Sequence, residues 1–173
     1  FLQKTKQYDA AEAAFSDYVA RFPSHSSIWL KFASFTKSVR KDMKKAEGLY
    51  QRAIDVDENG ETLGAYAAFC HGVLQKLDLA GELYERCLDS DPFPQANNLS
   101  NFGLYLSDVK RDAVRAEEMY RRALEVDGTH VNASFNLAVL LDDQERKEEA
   151  ESLYRNAVRA NPKHGFSWCN LAI

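Results

Sequence analysis

Small and aromatic positions recur along the chain with a period of about 34 residues. The clearest unit, Val131 to Trp168, holds two amphipathic helical segments that a polar turn separates. In every unit an aromatic residue follows a small residue by four positions, and such positions share one helix face. These pairs are Ala11 and Phe15, Ala46 and Tyr50, Ala80 and Tyr84, Ala116 and Tyr120, and Ala150 and Tyr154. The pattern predicts a repeat array in which each unit is a pair of helices.

Small residues also mark the first helix of each unit, where they allow two helix backbones to approach closely. They are Ala33, Ala68, Gly103, Ala138 and Ala172. Proline cannot continue a helix, and it follows the second helix at Pro23, Pro92 and Pro162. Glu58 and Gly128 stand at the two remaining positions. Two unit spacings exceed the usual period, which predicts short insertions in the turns near Lys41 and Asp112.

The predicted helices follow from this alignment. Residues Phe1 to Lys4 are expected to end one helix, and Tyr8–Arg21 to form its partner. Further pairs are predicted at Ser27–Val39 with Lys44–Val56, Thr62–Gln75 with Leu79–Ser90, Ala96–Val109 with Ala113–Val126, and Val131–Leu141 with Glu148–Ala160. A last helix begins near Gly165.

No Gly/Ser-rich linker or low-complexity segment interrupts the sequence, so a single domain is expected over 1–173. Its repeats are predicted at 1–23, 26–58, 61–92, 95–128 and 131–162, with the start of a further repeat at 165–173. Both ends fall inside a unit, and repeat arrays normally carry polar caps. The sequence is therefore expected to be a piece of a longer array.

The last unit shows, in order, Leu137-Ala138, Ala150, Tyr154, Ala157 and Pro162, followed by Trp168 of the next unit. This order resembles the tetratricopeptide repeat, and the resemblance covers essentially the whole chain. It implies an all-α fold, an α-solenoid of antiparallel helix pairs that forms a right-handed superhelix. The chain departs from the family pattern where Gly64 and Ser134 replace a large residue. The second unit, Trp29–Ala53, also resembles a half-a-tetratricopeptide (HAT) repeat.

Composition narrows the possible partners and the compartment. The net charge of −4 provides no electrostatic drive toward nucleic acid, and no nucleic-acid partner is expected. The three cysteines are odd in number and lack metal-ligand spacing. This is typical of a reducing setting, so we expect an intracellular, cytoplasmic protein. No apolar run reaches the roughly 18 residues of a membrane span, and neither metal nor cofactor is expected.

Catalytic motifs are absent from the sequence. It contains no Gly-rich phosphate loop, no HExxH, no CxxC and no GxSxG. This segment is therefore not expected to be an enzyme, although a catalytic domain could be attached elsewhere. The one basic cluster, Lys37 to Lys45, lies in a turn and is interpreted as solvated surface.

In the tetratricopeptide family the first helices line a concave face that binds extended peptides or partner helices. If this chain follows the family, four columns of its first helices line that groove. They are Lys31, Tyr66, Asn101, Asn136 and Asn170; Ser27, Thr62, Asn97, Asn132 and Phe166; Leu30, Ala65, Ser100, Phe135 and Cys169; and Ser34, Phe69, Leu104 and Val139. An asparagine amide offers both a donor and an acceptor, so it can bond a peptide backbone whatever the peptide's side chains.

The predicted peptide-binding residues come from these columns and from an acidic end of the groove. They are Asn97, Asn101, Asn132, Asn136, Asn170, Leu104, Phe135, Val139, Asp108, Asp142 and Asp143. The asparagine row resembles the ladder in the helical array of O-linked N-acetylglucosamine transferase. Asparagine is also the common family residue at this position, and that alternative stays open.

One family partner is not expected here. Chaperone-binding members of the family hold an acidic C-terminal tail with lysine, arginine and asparagine side chains. In this chain the column that needs the first lysine contains Leu30, Ala65, Ser100 and Phe135. The acidic end would also repel such a tail, so a ligand with Lys or Arg is expected instead.

Three functions are left open by the sequence. The first is a protein-interaction scaffold that binds a peptide or partner helix in the concave groove. The second is the substrate-targeting arm of a larger enzyme such as an O-GlcNAc-type glycosyltransferase, and the third is a HAT-like scaffold for RNA processing. A catalytic domain beyond residues 1–173 would favour the second, and further Trp-rich half-repeats would favour the third.

Overall fold

Helices account for all regular secondary structure between residues 2 and 172. The structure is a computed structural model that describes the backbone of residues 2–172 and the side chains of residues 6–172. The predicted all-α repeat fold is confirmed for these residues. The chain divides into two compact units, Phe1–Pro92 and Phe93–Ile173. The right-handed superhelix and the single array over 1–173 stay predictions.

The described part of the first unit, residues 2–92, contains five helices. They are α1 (Leu2–Arg21), α2 (Ser26–Phe35), α3 (Met43–Val56), α4 (Gly60–Phe69) and α5 (Leu77–Ser90). One turn of π-helix extends α2 over Thr36–Arg40 and α4 over Cys70–Leu74. Helix α2 packs on α3 and α4 packs on α5, while α1 and α3 each contact the helix that follows. The unit therefore contains two complete helix pairs, preceded by α1.

The second unit repeats this arrangement. Its helices are α6 (Ala96–Tyr105), α7 (Ala113–Val126), α8 (Val131–Asp143), α9 (Lys147–Ala160) and α10 (Gly165–Leu171). A π-helical turn over Leu106–Lys110 extends α6. Helix α6 packs on α7 and α8 packs on α9, and α6 also contacts α8 directly. The first helices of neighbouring pairs consequently lie side by side.

Helix α1 is a single helix of 20 residues. The sequence predicted one helix ending at Lys4 and a second one beginning at Tyr8, and this was wrong over residues 2–21. The segment contains neither Gly nor Pro, so no residue in it interrupts the backbone hydrogen bonds of a helix. Phe1 lies outside the described residues.

Between residues 2 and 172 there are four complete helix pairs, and three of them contain one extra residue. The packed small residues of the two helices lie 13 positions apart in these pairs and 12 positions apart in α8 and α9. The π-helical turn takes up the extra residue, and the next residue adopts a left-handed backbone. These residues are Lys41, Gln75 and Arg111, with φ of 60°, 55° and 55°. Two of these turns match the predicted insertions, and the third, at Gln75, was not predicted.

The unpredicted insertion shifts α4 by one residue relative to the sequence alignment. Ala67 rather than Ala68 is the fully buried small residue, and Leu63 rather than Gly64 fills the large position. In α4, three side chains that the sequence assigned to the groove are instead core residues, Thr62, Tyr66 and Phe69. That assignment was wrong, because a shift of one residue turns a helix by about 100°.

The small and aromatic columns form the core, as the periodicity indicated. Ala46, Ala80 and Ala116 are completely buried, and Tyr84 and Tyr120 are each 1% exposed. In the second unit Gly103 lies directly against the ring of Tyr120. A Cβ atom at position 103 would lie 2.7 Å from Tyr120 Cε1, so this close helix packing requires glycine.

A glutamate near the start of a second helix links neighbouring pairs within each unit. In the first unit Glu47 accepts hydrogen bonds from Lys76 Nζ at 2.5 Å and from the Tyr66 hydroxyl at 3.0 Å. In the second unit Glu117 accepts from Arg146 Nη1 at 2.9 Å and from Arg121 Nη2 at 2.7 Å. These contacts hold the second helix of one pair to the turn of the next pair.

Candidate functional site

The helices α6, α8 and α10 present one outward face, which we call the first-helix face. Their large residues, such as Phe102 and Leu137, are at most 1% exposed, because α6 and α8 pack on α7 and α9. Asn101 and Asn136 immediately precede these core residues and are half-buried. Adjacent helix positions point in directions about 100° apart, so the asparagines lie at the edge of the core rather than inside it.

The predicted binding residues all lie on these helices or on the turn that extends α6. The exposed ones are Asn97, Asn132, Asp108, Asp142 and Asp143, and the half-buried ones are Asn101, Asn136, Asn170, Leu104, Phe135 and Val139. In α6 the residues 97, 101, 104 and 108 follow the three- and four-residue spacing of a single helix face. Their role in binding stays a prediction.

Two asparagines already make hydrogen bonds within the second unit. His130 Nδ1 accepts from the backbone N–H of Ala133 at 3.1 Å, so in the neutral ring Nε2 carries the proton and donates to Asn97 Oδ1 at 2.8 Å. Asn170 Nδ2 donates to the Tyr154 hydroxyl at 2.8 Å. Asn97 keeps its amide donors, and Asn170 keeps its carbonyl oxygen and a second N–H.

The other asparagines of the row are unengaged. Within the described residues, the side chains of Asn101, Asn132 and Asn136 form no hydrogen bond. Asn101 and Asn136 are equivalent positions of neighbouring pairs on α6 and α8, which contact each other. The face therefore offers two neighbouring half-buried amides with unused donors and acceptors.

An aromatic cluster lies at the α8 and α10 end of this face. The ring centroid of Phe135 lies 5.1 Å from that of His164 and 6.2 Å from that of Phe166. His164 and Phe166 are 6.2 Å apart. The sequence analysis named Phe135 as a binding residue. It placed Phe166 in a groove column without counting it among the binding residues, and it omitted His164. The available signal was an aromatic residue at 166, in a column that is otherwise polar.

The C-terminal end of α8 and the π-helical turn after α6 are acidic, with Asp142 and Asp143 on the first and Asp108 on the second. Burial raises the pKa of Tyr154, and the nearby carboxylates of Asp142 and Asp143 add to this increase. Burial likewise raises the pKa of Tyr120, with a contribution from Asp108. Asp142 and Asn170 also line one cleft of about 370 Å³ between α8, α9 and α10. The structure thus brings Asn170, at the end of the asparagine row, and Asp142 together in one cleft.

The first unit contains the basic cluster and a second cleft. Arg40 pairs with Asp9 at 2.5 Å and with Glu12, and Lys45 also pairs with Glu12 at 2.5 Å. These contacts neutralise part of the cluster's charge. The cleft, about 320 Å³ in volume, is apolar and is lined by Ala11, Ala14, Phe15, Tyr18 and Ile28.

Neither a metal centre nor a membrane span emerges from the part of the chain that the structure describes. Between residues 2 and 172, no three His, Cys, Asp or Glu side chains come together in a way that could hold a metal ion. Every helix in the same range lacks the length or the apolarity that crossing a lipid bilayer requires.

The repeated helix pairs of residues 2–172 define an α-helical repeat fold. Residues 110–164 match the family model of the tetratricopeptide repeat. This match covers about a third of the chain, and over these residues the sequence is similar to the tetratricopeptide repeat family. No curated protein sequence matches it.

Solved structures share the fold at low sequence identity. YrrB, a TPR protein with an unusual peptide-binding site, is 18% identical with a TM-score of 0.69, and the match covers 99% of this chain and 87% of YrrB. PilF of Pseudomonas aeruginosa is 16% identical with a TM-score of 0.81, covering 95% and 74%. TTC0263, a thermophilic TPR protein of Thermus thermophilus, is 17% identical with a TM-score of 0.72, covering 99% and 92%.

Proposed function

We propose that this chain is a non-catalytic scaffold whose first-helix face in the second unit binds an extended peptide of a partner protein. The observation that carries the proposal is the pair of half-buried, unengaged amides of Asn101 and Asn136. An amide at the edge of a packed surface has lost part of its hydration. A peptide backbone offers the alternating donors and acceptors that replace the lost water.

The remaining predicted residues extend this pair into a site. Asn170 adds a third amide, of which one N–H is already used on Tyr154. Leu104, Phe135 and Val139 are half-buried beside the asparagines and supply apolar contacts for alternate side chains of the peptide. Backbone hydrogen bonds then provide affinity without demanding a sequence, and the flanking side chains provide specificity.

The negative charge at one end of the first-helix face determines which peptides it favours. Asp108, Asp142 and Asp143 are exposed at one end of the face and favour a ligand with Lys or Arg there. They disfavour the acidic tails of chaperones. Because exposed charges are screened by salt, this part of the binding should weaken as ionic strength increases.

Two further observations support an intracellular peptide-binding role. YrrB, which shares the fold, has a peptide-binding site, so the fold can carry this kind of activity. The three cysteines of the chain are free thiols, which is typical of proteins from reducing, cytoplasmic surroundings.

The test uses twelve-residue peptides that the intact protein selects from a random displayed library. Their affinity is measured by calorimetric titration against the protein and its alanine variants at Asn101, Asn136 and Asn170. A net hydrogen bond contributes about 0.5–1.5 kcal/mol, so one Asn→Ala change should weaken binding roughly 3- to 10-fold. The triple variant should bind too weakly to titrate.

Gln51→Ala is the matched control, since Gln51 is an exposed amide on α3 of the first unit. Circular dichroism of the triple variant checks that the helices are retained. Peptides that bind the triple variant with unchanged affinity would place the site elsewhere and overturn the proposal.

A further inference from the structure

Phe166 is an exposed aromatic residue that the repeat architecture does not explain. It is 71% exposed and lies at the start of α10. The equivalent positions of the other first helices hold short or polar residues, and after the register of α4 is corrected these are Ser27, Glu61, Asn97 and Asn132. Among the described residues, a large exposed apolar side chain at this repeat position is therefore found only in α10.

Trp168, which lies nearby in sequence, has a structural explanation. Its indole Nε1 donates to the carbonyl of Pro162 at 3.0 Å, and Trp29 makes the equivalent bond to Pro23 at 2.9 Å. The two tryptophans occupy the same repeat position and fix the turn before their helix. Phe166 does not fix a turn in this way, because a phenyl ring cannot donate a hydrogen bond, and this separates it from the two tryptophans.

Phe166 instead joins the rings of Phe135 and His164. The Phe135 ring is tilted by 43° to Phe166 and by 67° to His164, and His164 is tilted by 64° to Phe166. His164 is held in place because its Nδ1 is 2.8 Å from the hydroxyl of Ser167, which is completely buried. The Tyr154 ring supports Phe135 from the core at 6.0 Å. The cluster is thus a preorganised aromatic surface with a single strongly exposed member.

We propose that Phe135, His164 and Phe166 form an aromatic subsite that receives an aromatic side chain of the bound peptide. The inference rests on the proposed peptide-binding function and specifies its ligand. Aromatic rings favour tilted and edge-to-face neighbours at centroid distances of about 4.5–7 Å, and a fourth ring extends the packing already present. Lys163 is the only charged residue within two sequence positions of the three rings, and it disfavours a cationic side chain there.

The distance to the acidic end adds a second requirement. Phe135 and Asp142 lie seven residues apart on the continuous helix α8, which corresponds to about 10 Å along its axis. An extended peptide covers this distance in about three residues. The subsite therefore selects a peptide that carries an aromatic residue and a Lys or Arg about three positions apart.

The experiment selects random twelve-residue displayed peptides with the intact protein and with its Phe166→Ser variant. Serine already occupies the equivalent position 27, and the exposed ring contributes little to the core, so this variant should fold normally. We expect the unmodified protein to enrich peptides with an aromatic residue near Lys or Arg. The variant should bind these peptides about 10-fold more weakly, and Phe166→Trp should restore the affinity.

Val114→Ser is the matched control, because Val114 is 81% exposed on α7 and lies outside the first-helix face. Enriched peptides without an aromatic residue, or equal affinity for the Phe166→Ser variant, would overturn the aromatic subsite. If those peptides still lost affinity when Asn101 and Asn136 were replaced by alanine, the proposed function would hold without the aromatic subsite. Enrichment of no peptide at all would overturn both.

Discussion

At the scale of single residues, two buried threonines show how the same side chain can stabilise or destabilise the fold. Thr36 and Thr62 are both completely buried. The Thr62 hydroxyl donates to the carbonyl of Asp57 at 2.8 Å and accepts from the N–H of Asn59 at 3.1 Å. The Thr36 hydroxyl has no hydrogen-bond partner among the described residues. The repeat-equivalent positions hold Cys70 and Leu106, which need none.

Thr36→Val is expected to stabilise the protein, and Thr62→Val to destabilise it. Valine has nearly the same shape as threonine. The first change therefore removes a buried hydroxyl that has no hydrogen-bond partner, and this should raise the free energy of unfolding by about 1 kcal/mol or more. The second change leaves the N–H of Asn59 and the carbonyl of Asp57 without their partner, at a cost of about 1–3 kcal/mol. Urea denaturation of both variants measures the difference. Equal effects of the two substitutions would contradict this account of the hydroxyls.

At the scale of elements, neighbouring helix pairs are joined by charge as well as by packing. Arg146, at the start of α9, bonds both Glu117 of α7 and Glu149 of its own helix. Burial acts to raise the pKa of Glu117, but the hydrogen bonds from Arg121 and Arg146 outweigh it, and the pKa lies below its ordinary value. The ionised form of Glu117 is thus favoured by folding.

Glu117→Gln should therefore reduce stability at neutral pH by about 1 kcal/mol. A lowered carboxyl pKa contributes stability that is present above the unfolded value of about 4.3 and is lost as the pH falls through the folded value. The difference in the free energy of unfolding between the Glu117→Gln variant and the unmodified protein should become smaller in acid and in high salt. Glu118→Gln is the control, since Glu118 lies 3.9 Å from Arg122 on the surface. If this difference is the same at pH 7 and at pH 3, the carboxylate charge of Glu117 does not contribute to stability.

The elements also show how far the sequence predicts the structure. The small and aromatic columns predicted the second helices well, because residues four positions apart lie on the same face of a helix. The register of α4 was lost because the π-helical turn over Cys70–Leu74 adds a residue, and the left-handed residue that follows it is Gln75 rather than a glycine. The binding columns of α6 and α8 lie on their predicted helices. The contact between Phe135, His164 and Phe166 joins two helices, so no pattern within one helix could reveal it.

At the scale of the whole molecule, repeat proteins respond to mutation mainly near the altered repeat, because each repeat contacts only its neighbours. The chain has one tryptophan in each compact unit, Trp29 in the first and Trp168 in the second. Replacing either one by phenylalanine leaves a single fluorescent reporter for one unit. Stability can therefore be followed separately in the two parts of the chain.

Tyr120→Ala removes a fully buried ring from the second unit and should lower the free energy of unfolding of that unit by about 3–5 kcal/mol. With Trp168 as the reporter, the denaturation midpoint should fall clearly. With Trp29 as the reporter, it should fall much less. Identical shifts of the two midpoints would mean that residues 1–173 unfold as one cooperative unit, contrary to this expectation.

The binding of an extended peptide by the asparagine row is the central claim, and side-chain amide resonances test it most directly. The protein is labelled with 15N at asparagine and titrated with a peptide that it has selected from a displayed library. The amide signals of Asn101 and Asn136 should shift and saturate together, since both form hydrogen bonds to the peptide backbone. Asn156, whose amide bonds Gly128 and Ser134 inside the fold, should not move. Saturable binding that leaves the Asn101 and Asn136 signals unchanged would contradict the account.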